Sequence, residues 1–254
     1  EMTNIILCGC SGVMGRTITE LVKNDDEAKI VAGIDLADDG RTDYPVFSSI
    51  AACDVDADAL IDFSSPKILD DILAYCAEKK LPAVLCATGY DEQQLEAIEA
   101  AAERSAVLRS ANMSLGINTL MNLVQQAVSV LAPEGYDVEI VEKHHNQKLD
   151  APSGTALALA DSANEAAGGC FEYVYDRSQR KQKRDRKELG ISAVRGGTIV
   201  GDHDVIFAGP DEVITLSHSA YSKAVFGKGA VAAAKFLKGK GAGRYDMADV
   251  IKAK

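Results

Sequence analysis

Apolar residues follow two alternating patterns along the first half of the chain. Short continuous apolar runs, typical of strands buried in a parallel sheet, predict strands over Asn4–Cys8, Ile30–Ile34, Leu60–Phe63, Ala83–Ala87 and Ala106–Leu108. Between these runs, apolar residues at helical spacing predict helices over Met14–Lys23, Lys67–Lys80 and Asp91–Arg104. Such an alternation predicts right-handed βαβ units, and therefore an α/β fold with a doubly wound parallel sheet.

The pattern changes after about Met113. Helices are predicted over Ile117–Val130 and Thr155–Asn164, and a last helix over Ala230–Leu237. Apolar runs separated mostly by turns predict strands over Tyr136–Val141, Ile191–Val194, Thr198–Val200, Val205–Ala208 and Val213–His218. Several strands without intervening helices predict a second, α+β domain built on a mixed or largely antiparallel sheet.

The overall charge excludes some classes of function. The 254 residues include 27 Lys and Arg against 38 Asp and Glu, a formal net charge of −11, which argues against nucleic-acid binding as the main function. No apolar run approaches the ~20 residues that cross a bilayer, and the start of the chain lacks the layout of a signal peptide. The sequence therefore predicts a cytoplasmic protein that binds neither nucleic acid nor membranes.

Two further features of the composition bear on ligands. Six cysteines and four histidines form no CxxC pair and no paired histidine spacing, so no metal site is predicted. Residues 176–190, in contrast to the acidic whole, contain seven basic side chains against three acidic ones. This stretch has two interpretations: a solvated mobile surface loop, which the charge favours, or a site for a phosphate or carboxylate ligand.

A glycine-rich turn joins the first predicted strand to the first helix. The turn contains Gly9, Cys10, Ser11, Gly12, Val13, Met14 and Gly15. Glycines allow close backbone approach here, so that amide N–H groups and the helix dipole can hold a pyrophosphate. Asp35 ends the second predicted strand 20 residues after Gly15, where a carboxylate that binds ribose belongs. These features predict dinucleotide binding; the alternative is that Asp35 only starts a turn.

Small and polar residues follow two later strands. They are Cys86, Ala87 and Thr88 after one strand, and Ser110, Ala111, Asn112 and Met113 after the next. Because ligands of doubly wound sheets bind outside the carboxyl ends of the strands, these residues predict the nicotinamide half of the site. Ordinary loop capping is the alternative.

The densest group of reactive side chains lies in the stretch EIVEKHHNQKLDAPSGTA. The N–H groups at the predicted helix start, with the hydroxyls of Ser153 and Thr155, predict a carboxylate site. Lys148 adds positive charge, and His144 or His145 can exchange a proton near neutral pH. The alternative places the two histidines on opposite faces of a strand, with at most one of them functional.

This stretch resembles the signature of the 4-hydroxy-tetrahydrodipicolinate reductase family, also called dihydrodipicolinate reductases. GCSGVMGR, IDFSSP, the ATG turn, SANMSLGIN and FGKGAV are similar to other motifs of the family, in the same order and over essentially the whole chain. The resemblance implies NAD(P)H-dependent reduction of a small cyclic dicarboxylate in diaminopimelate and lysine biosynthesis. Two interpretations remain beside it: a dehydrogenase of another small dicarboxylate, and a non-catalytic nicotinamide sensor.

The resemblance also implies roles for individual residues. His144 would be the proton donor and acceptor, and Lys148 the second proton donor. Substrate would be bound by His145, Ser153, Gly154, Thr155 and Lys223. The cofactor would contact Gly9 through Met14, Asp35, Cys86 through Thr88, and Ser110 through Met113.

The domain organisation and assembly are likewise implied by the resemblance. Residues 2–113 and 224–254 would form a Rossmann dinucleotide-binding domain, with residues 114–223 inserted as a substrate-binding and oligomerisation domain. The assembly would be a homotetramer.

Three positions depart from the family pattern. Asn146 and Gln147 stand where members often have Arg and His, which removes positive charge beside the predicted site. Lys223 stands where members often have an arginine, so bidentate pairing with a carboxylate is lost. Leu36 stands where some members carry an arginine, which bears on the choice of cofactor.

Local charge predicts NADH as the preferred cofactor, with NADPH as an alternative. The 2′-phosphate of NADPH would place negative charge against the carboxylate of Asp35. Asp38 and Asp39 add further negative charge, and the local cations are Arg16 and Arg41.

Overall fold

A computed structural model of the chain describes residues 1–38 and 40–253, so Asp39 and Lys254 lie outside the described residues. The chain divides into two compact units, Glu1–Leu115 with Ala224–Lys254, and Gly116–Lys223. No helix of the described part is long and apolar enough to cross a membrane.

The described residues form twelve strands and seven α-helices. The strands are β1 (Thr3–Cys8), β2 (Ala28–Ile34), β3 (Val46–Phe47), β4 (Ala59–Asp62), β5 (Ala83–Leu85), β6 (Ala106–Arg109), β7 (Asp137–His144), β8 (Glu172–Val174), β9 (Glu188–Arg195), β10 (Gly201–Ala208), β11 (Val213–Ala220) and β12 (Gly243–Tyr245). The helices are α1 (Val13–Lys23), α2 (Leu69–Lys79), α3 (Glu92–Ala102), α4 (Leu115–Leu131), α5 (Gly154–Ala166), α6 (Ala224–Leu237) and α7 (Met247–Lys252).

The first unit is built on a parallel sheet in the order β12-β6-β5-β4-β1-β2-β3. Alternate residues of each strand enter different cores: Ile5 and Leu7 pack with α1 and α6, whereas Ile6 and Cys8 pack with α2 and α3. Because both faces are covered, the strands are continuous apolar runs, which is why the sequence reveals them. The predicted doubly wound Rossmann-type fold is confirmed.

The strand order reverses beside β1, which lies between β2 and β4. The glycine-rich turn follows β1 at this reversal, where ligands of open parallel sheets bind. The C-terminal segment completes the unit, since β12 pairs with β6 and residues of α6 and α7 enter the core. The strands β3 and β12 and the helix α7 are absent from the predicted elements; with two, three and six residues, they are too short for periodicity to detect.

The second unit is built on a sheet in the order β11-β10-β7-β9-β8. It is mixed, because β7 pairs antiparallel with β10 and parallel with β9. Helices α4 and α5 cover one face, where Val138, Ile140, Val205 and Phe207 are fully buried. The predicted α+β character and mixed sheet are confirmed.

The predicted strand over Thr198–Val200 is wrong. These residues lie in the connection from β9 to β10, which must pass the end of β7 because β7 lies between those two strands. Gly197 has a φ of +50° in this connection, and its carbonyl accepts a hydrogen bond from the N–H of Asn146. The connection is therefore tied to the end of β7, where the candidate site begins.

The basic stretch is held to strands β7 and β9 of this sheet by its arginines. Arg177 donates two hydrogen bonds to Glu139, at 2.7 and 3.0 Å, and one to Glu188 at 3.0 Å. Arg184 also donates to Glu139, and Arg180 to Glu188. The interpretation as a solvated loop is therefore wrong for these three arginines, whose charge is compensated by carboxylates of the protein itself.

Candidate active site

A fully buried carboxylate lies at the centre of a polar cluster in the second unit. Glu142 stands two residues before the end of β7, so its side chain lies on the same face of the strand as that of His144. Its two oxygens accept a bidentate pair of hydrogen bonds from Arg195, both at 2.7 Å. They also accept from Nδ1 of His144 at 2.7 Å and from the N–H of Ser153 at 2.9 Å.

These hydrogen bonds keep Glu142 ionised. Burial alone raises the pKa of this carboxyl group, but the hydrogen bonds from Arg195, His144 and the Ser153 N–H outweigh burial. The pKa of Glu142 is consequently lowered from its ordinary value. At neutral pH the cluster therefore contains a buried anion whose charge is matched by the guanidinium of Arg195.

His144 is buried at the end of β7, with 8% of its surface exposed. While Nδ1 faces Glu142, Nε2 lies close to the backbone of Gly201 at the start of β10, where a Cβ atom would come within 3.0 Å of it. The side chain is thus held by one ring nitrogen, and the glycine leaves room beside the other. His145 follows the strand and is half-buried, and of the two histidines it is His144 that contacts Glu142.

A second histidine faces His144 from β10. The rings of His144 and His203 meet edge to face with centroids 5.2 Å apart. Burial, reinforced by the nearby His144, lowers the pKa of His203 to about 4, so it is neutral near pH 7. Its Nε2 lies 2.9 Å from Oγ of Ser153, which also accepts from the N–H of Ala156.

Ser153 caps the helix that opens beside the cluster. As predicted, the Pro-Ser-Gly-Thr sequence opens a helix: α5 begins at Gly154, so that Gly154 and Thr155 lie in its first turn. Lys148 lies in the loop before it, 22% exposed, and its Nζ is 2.8 Å from Oδ1 of Asp150. Lys223 is exposed in the short connection between β11 and α6. Ser153 and His144 are thus brought together by Glu142, whereas Lys148 is held by its own carboxylate partner.

In the first unit, two glycines shape the turn after β1. Gly9 has a φ of +77°, and a Cβ atom there would lie 2.8 Å from the carbonyl oxygen of Phe63. A Cβ atom at Gly15 would lie 2.2 Å from the carbonyl oxygen of Gly9. Helix α1 then starts at an N-cap, Gly12, that has no side chain to occupy its first N–H groups. This bare helix start fits a pyrophosphate.

Asp35 lies against this turn. Its carboxylate accepts hydrogen bonds from the N–H of Ser11 at 3.0 Å and from the N–H of Leu36 at 2.8 Å. Each carboxylate oxygen retains a lone pair, so the group can still accept bonds from ribose hydroxyls. The structure therefore brings the predicted pyrophosphate and ribose sites together, in a form that fits a dinucleotide.

The other predicted cofactor residues follow the carboxyl ends of β5 and β6, which are neighbours in the sheet. Cys86, Ala87 and Thr88 directly follow β5. Ser110 accepts a hydrogen bond from the N–H of Met247 at 2.7 Å, and Asn112 and Met113 are buried. Ser110, Asn112 and Met113 thus contribute to the packing of the first unit. Ala111, which lies among them in the sequence, is exposed.

Two family profiles match the chain. The profile described as "Dihydrodipicolinate reductase, N-terminus" matches residues 3–113, and "Dihydrodipicolinate reductase, C-terminus" matches residues 116–251. The chain belongs to the dihydrodipicolinate reductase family. The family and the enzyme class, an oxidoreductase, that the sequence motifs predict are confirmed.

Relatives within the dihydrodipicolinate reductase family match end to end. The 4-hydroxy-tetrahydrodipicolinate reductase of Caldanaerobacter subterraneus subsp. tengcongensis is 49% identical over 251 residues, 99% of both chains. That of Clostridium novyi is 48% identical over 253 residues, 100% of both chains after rounding. The dipicolinate-bound dihydrodipicolinate reductase from Paenisporosarcina sp. TG-14 has the same fold, with a TM-score of 0.81 over 97% of this chain and 98% of the other, at 23% identity.

Three residues that shape the two candidate sites, Glu142, Arg195 and Asp62, are absent from the site residues that the sequence predicts. Glu142 was detectable, because its spacing of two from His144 places both side chains on one strand face. Arg195 had no local signal, since only the parallel pairing of β9 with β7 brings it beside His144. Asp62 is fully buried at the end of β4 and accepts from the N–H of Ser64 at 2.9 Å, so it shapes the turn that Gly9 packs against.

Proposed function

We propose that this chain reduces 4-hydroxy-tetrahydrodipicolinate to tetrahydrodipicolinate with a reduced nicotinamide dinucleotide. The observation that carries the proposal is the buried His144, held at Nδ1 by an ionised glutamate, beside the helix start capped by Ser153. Family members 48–49% identical to this chain are named as reductases of that substrate. A cyclic dicarboxylate needs both features: donors for its carboxylates and a group that supplies a proton.

The second unit offers donors for the two substrate carboxylates. Lys148 provides a cation, His145 is half-buried beside it, and the first turn of α5 at Gly154 and Thr155 carries the positive end of the helix dipole. Dipicolinate, bound in the Paenisporosarcina relative, is itself a cyclic dicarboxylate, which supports this ligand class. We assign substrate binding to residues 114–223 on these grounds.

The proton is assigned to His144 and Lys148. The 4-hydroxyl group of the substrate is lost as water, which leaves a conjugated ring imine. When bound, the nicotinamide would supply a hydride to this ring, and the ring must also gain a proton. His144 can deliver it from Nε2, because Nδ1 is engaged with Glu142. Lys148 is held in place by Asp150 and can serve as the second donor once the substrate carboxylate is bound.

Residues 2–113 and 224–254 are assigned to the dinucleotide. The turn from Gly9 to Met14 and the start of α1 would hold the pyrophosphate, and Asp35 the adenosine ribose. The residues after β5 and β6 would line the nicotinamide half. A cytoplasmic location remains a prediction from the sequence.

The proposal is tested by following the loss of NADH absorbance while the upstream synthase generates the substrate in situ. Rapid oxidation that depends on the synthase supports the proposal. Other small dicarboxylates, supplied directly with either cofactor, are the control for a different dehydrogenase. Oxidation of NADH with another dicarboxylate, but not with the synthase product, would refute the proposal. No oxidation of either cofactor with any tested substrate would favour a nicotinamide sensor.

We expect the chain to use NADH in preference to NADPH. Repulsion between the 2′-phosphate of NADPH and Asp35 should cost about 1–2 kcal/mol. This cost corresponds to a kcat/KM that is roughly 5- to 30-fold higher for NADH than for NADPH. The measurement is kcat/KM for both cofactors at low and physiological salt, because salt screens an exposed phosphate. Asp35→Asn is the matched variant and should narrow the preference. Equal values in the wild type, or a preference for NADPH, would mean that Arg16 or Arg41 reaches the phosphate.

A homotetramer is expected from the resemblance to the family, and the open face of the second sheet offers a surface for subunit pairing. The face away from α4 and α5 exposes apolar side chains, with Val194 45% and Val213 62% exposed. Such a face is commonly covered by subunit pairing. Light scattering should give a mass near four times the 26.9 kDa of one chain. A particle of a single chain at micromolar concentration would contradict this expectation.

Activity should not depend on a metal ion. Among the described residues, no group of three or more His, Cys, Asp or Glu side chains is placed to hold one. Prolonged treatment with EDTA should therefore leave the rate of NADH oxidation unchanged. A loss of rate that Zn²⁺ restores would refute this prediction.

A further inference from the structure

The hydrogen bond between His144 and Glu142 determines where the histidine carries its proton. An ionised carboxylate can only accept, so Nδ1 of His144 must be the donor across the 2.7 Å contact. In the neutral ring Nε2 then carries a lone pair, and in the charged ring Nε2–H is the donor that Glu142 does not engage. The tautomer is thus set by a residue that would not touch the substrate.

We propose that Glu142 is the positioning residue for His144: it holds the ring with its proton on Nδ1, so that Nε2 is the atom that exchanges a proton with the substrate. This inference rests on the proposed function in one respect, namely that His144 acts on the substrate. The tautomer itself is independent of which substrate is bound.

Arg195 gives Glu142 the rigidity that this role needs. The guanidinium donates one hydrogen bond to each carboxylate oxygen, and the N–H of Ser153 donates a third hydrogen bond to the same carboxylate. Arg195 is itself held by the carbonyl oxygens of Asp150 and Val194, at 2.7 and 2.8 Å. The carboxylate therefore cannot rotate to release His144 without breaking several charge-assisted hydrogen bonds.

The other groups around the imidazole ring of His144 do not compete with its hydrogen bond to Glu142. His203 is neutral near pH 7, so it neither competes for Glu142 as a cation nor repels a charged His144. Its Nε2 is engaged by Ser153 instead. On the side of Nε2 the neighbouring strand begins with Gly201, whose missing side chain leaves that nitrogen uncrowded.

The first experiment measures the tautomer in the wild-type protein, and a substitution serves only to assign the signals. Protein labelled with ¹⁵N-histidine is studied by solid-state NMR at a pH where the histidines are neutral, and the His144 signals among the four histidines are assigned by their loss in His144→Gln. We expect a protonated Nδ1 and an unprotonated Nε2. A neutral His144 protonated on Nε2 would overturn the proposal, whether or not a Glu142 variant folds.

The second experiment uses Glu142→Gln, which keeps the shape but turns one acceptor oxygen into a donor. In either orientation its NH₂ group faces a guanidinium nitrogen of Arg195, together with Nδ1 of His144 or the N–H of Ser153, so the bidentate pairing is lost. We expect kcat to fall by about 10- to 100-fold, with KM for the dicarboxylate changed by less than about threefold. The ¹⁵N spectrum should show that the single tautomer of His144 is lost.

The matched control is Glu188→Gln. Glu188 is also a buried glutamate of the same sheet, held by two arginines, Arg177 and Arg180, but it has no histidine partner. The control should lower thermal stability to a similar extent and leave kcat within about twofold of the wild type. Equal losses of kcat in both variants, or an unchanged kcat in Glu142→Gln, would overturn the proposal.

Failure of this inference can be told apart from failure of the proposed function. A wild-type protein that does not oxidise NADH with the synthase product refutes the function, while the wild-type spectrum still tests the tautomer. Full activity together with a His144 protonated on Nε2 refutes the role of Glu142 and leaves the function standing.

Discussion

His144→Gln and Lys148→Ala should each lower kcat by about 10²- to 10⁴-fold, the range expected for a positioned proton donor. His144 is the residue whose ring is held by Glu142, and Lys148 is held by Asp150 beside the start of α5. Because glutamine keeps much of the size of histidine, the first variant removes the proton transfer with little disturbance of the buried site.

Two controls separate loss of chemistry from loss of fold in these variants. Binding of NADH, measured by fluorescence titration, should stay within about twofold of the wild type, because both residues lie in the other unit. Lys183→Ala, at an exposed lysine of the second unit, should leave kcat unchanged. Near-normal turnover in both His144→Gln and Lys148→Ala would refute the assignment of the site.

Gly15→Ala should weaken NADH binding by roughly 10- to 100-fold, corresponding to about 1–3 kcal/mol. The added Cβ would lie 2.2 Å from the carbonyl oxygen of Gly9 and 2.6 Å from backbone atoms of Cys10. All of these contacts are to the backbone of the turn, so no side chain can move to relieve them. The turn must shift instead, and with it the N–H groups that would hold the pyrophosphate.

Gly241→Ala is the matched control for this prediction. Gly241 belongs to the same unit, and a Cβ atom there would meet nothing within 4 Å. This variant should bind NADH as the wild type does. Thermal melting of both variants reports the cost to the fold separately from NADH affinity, and wild-type affinity in Gly15→Ala would contradict the role given to the turn.

How far the sequence predicts this fold depends on burial. The strands of the first sheet are covered on both faces, so that Ile5 to Cys8 form one apolar run that periodicity detects. The half-exposed β8, with three residues, gives no such signal. The connection at Thr198–Val200 has the composition of a strand, but it passes the end of β7, which lies between β9 and β10, and does not pair.

The candidate site divides in the same way between local and distant residues. His144, Ser153 and Lys148 lie within ten residues of one another, so one motif contains them. Arg195 reaches Glu142 across 53 positions of sequence, through a strand pairing that no local pattern encodes. The sequence therefore predicts the groups that would touch the substrate better than the groups that hold them in place.

Deuterium carried from the cofactor into the product gives the most direct test of hydride transfer by this chain. NADH deuterated at both C4 positions is supplied while the upstream synthase generates 4-hydroxy-tetrahydrodipicolinate, and the product is analysed by mass spectrometry. Reduction as proposed predicts tetrahydrodipicolinate that is heavier by a single deuterium, formed at a rate that His144→Gln lowers by at least about 10²-fold. A product without deuterium, or no product while the synthase is active, would contradict it.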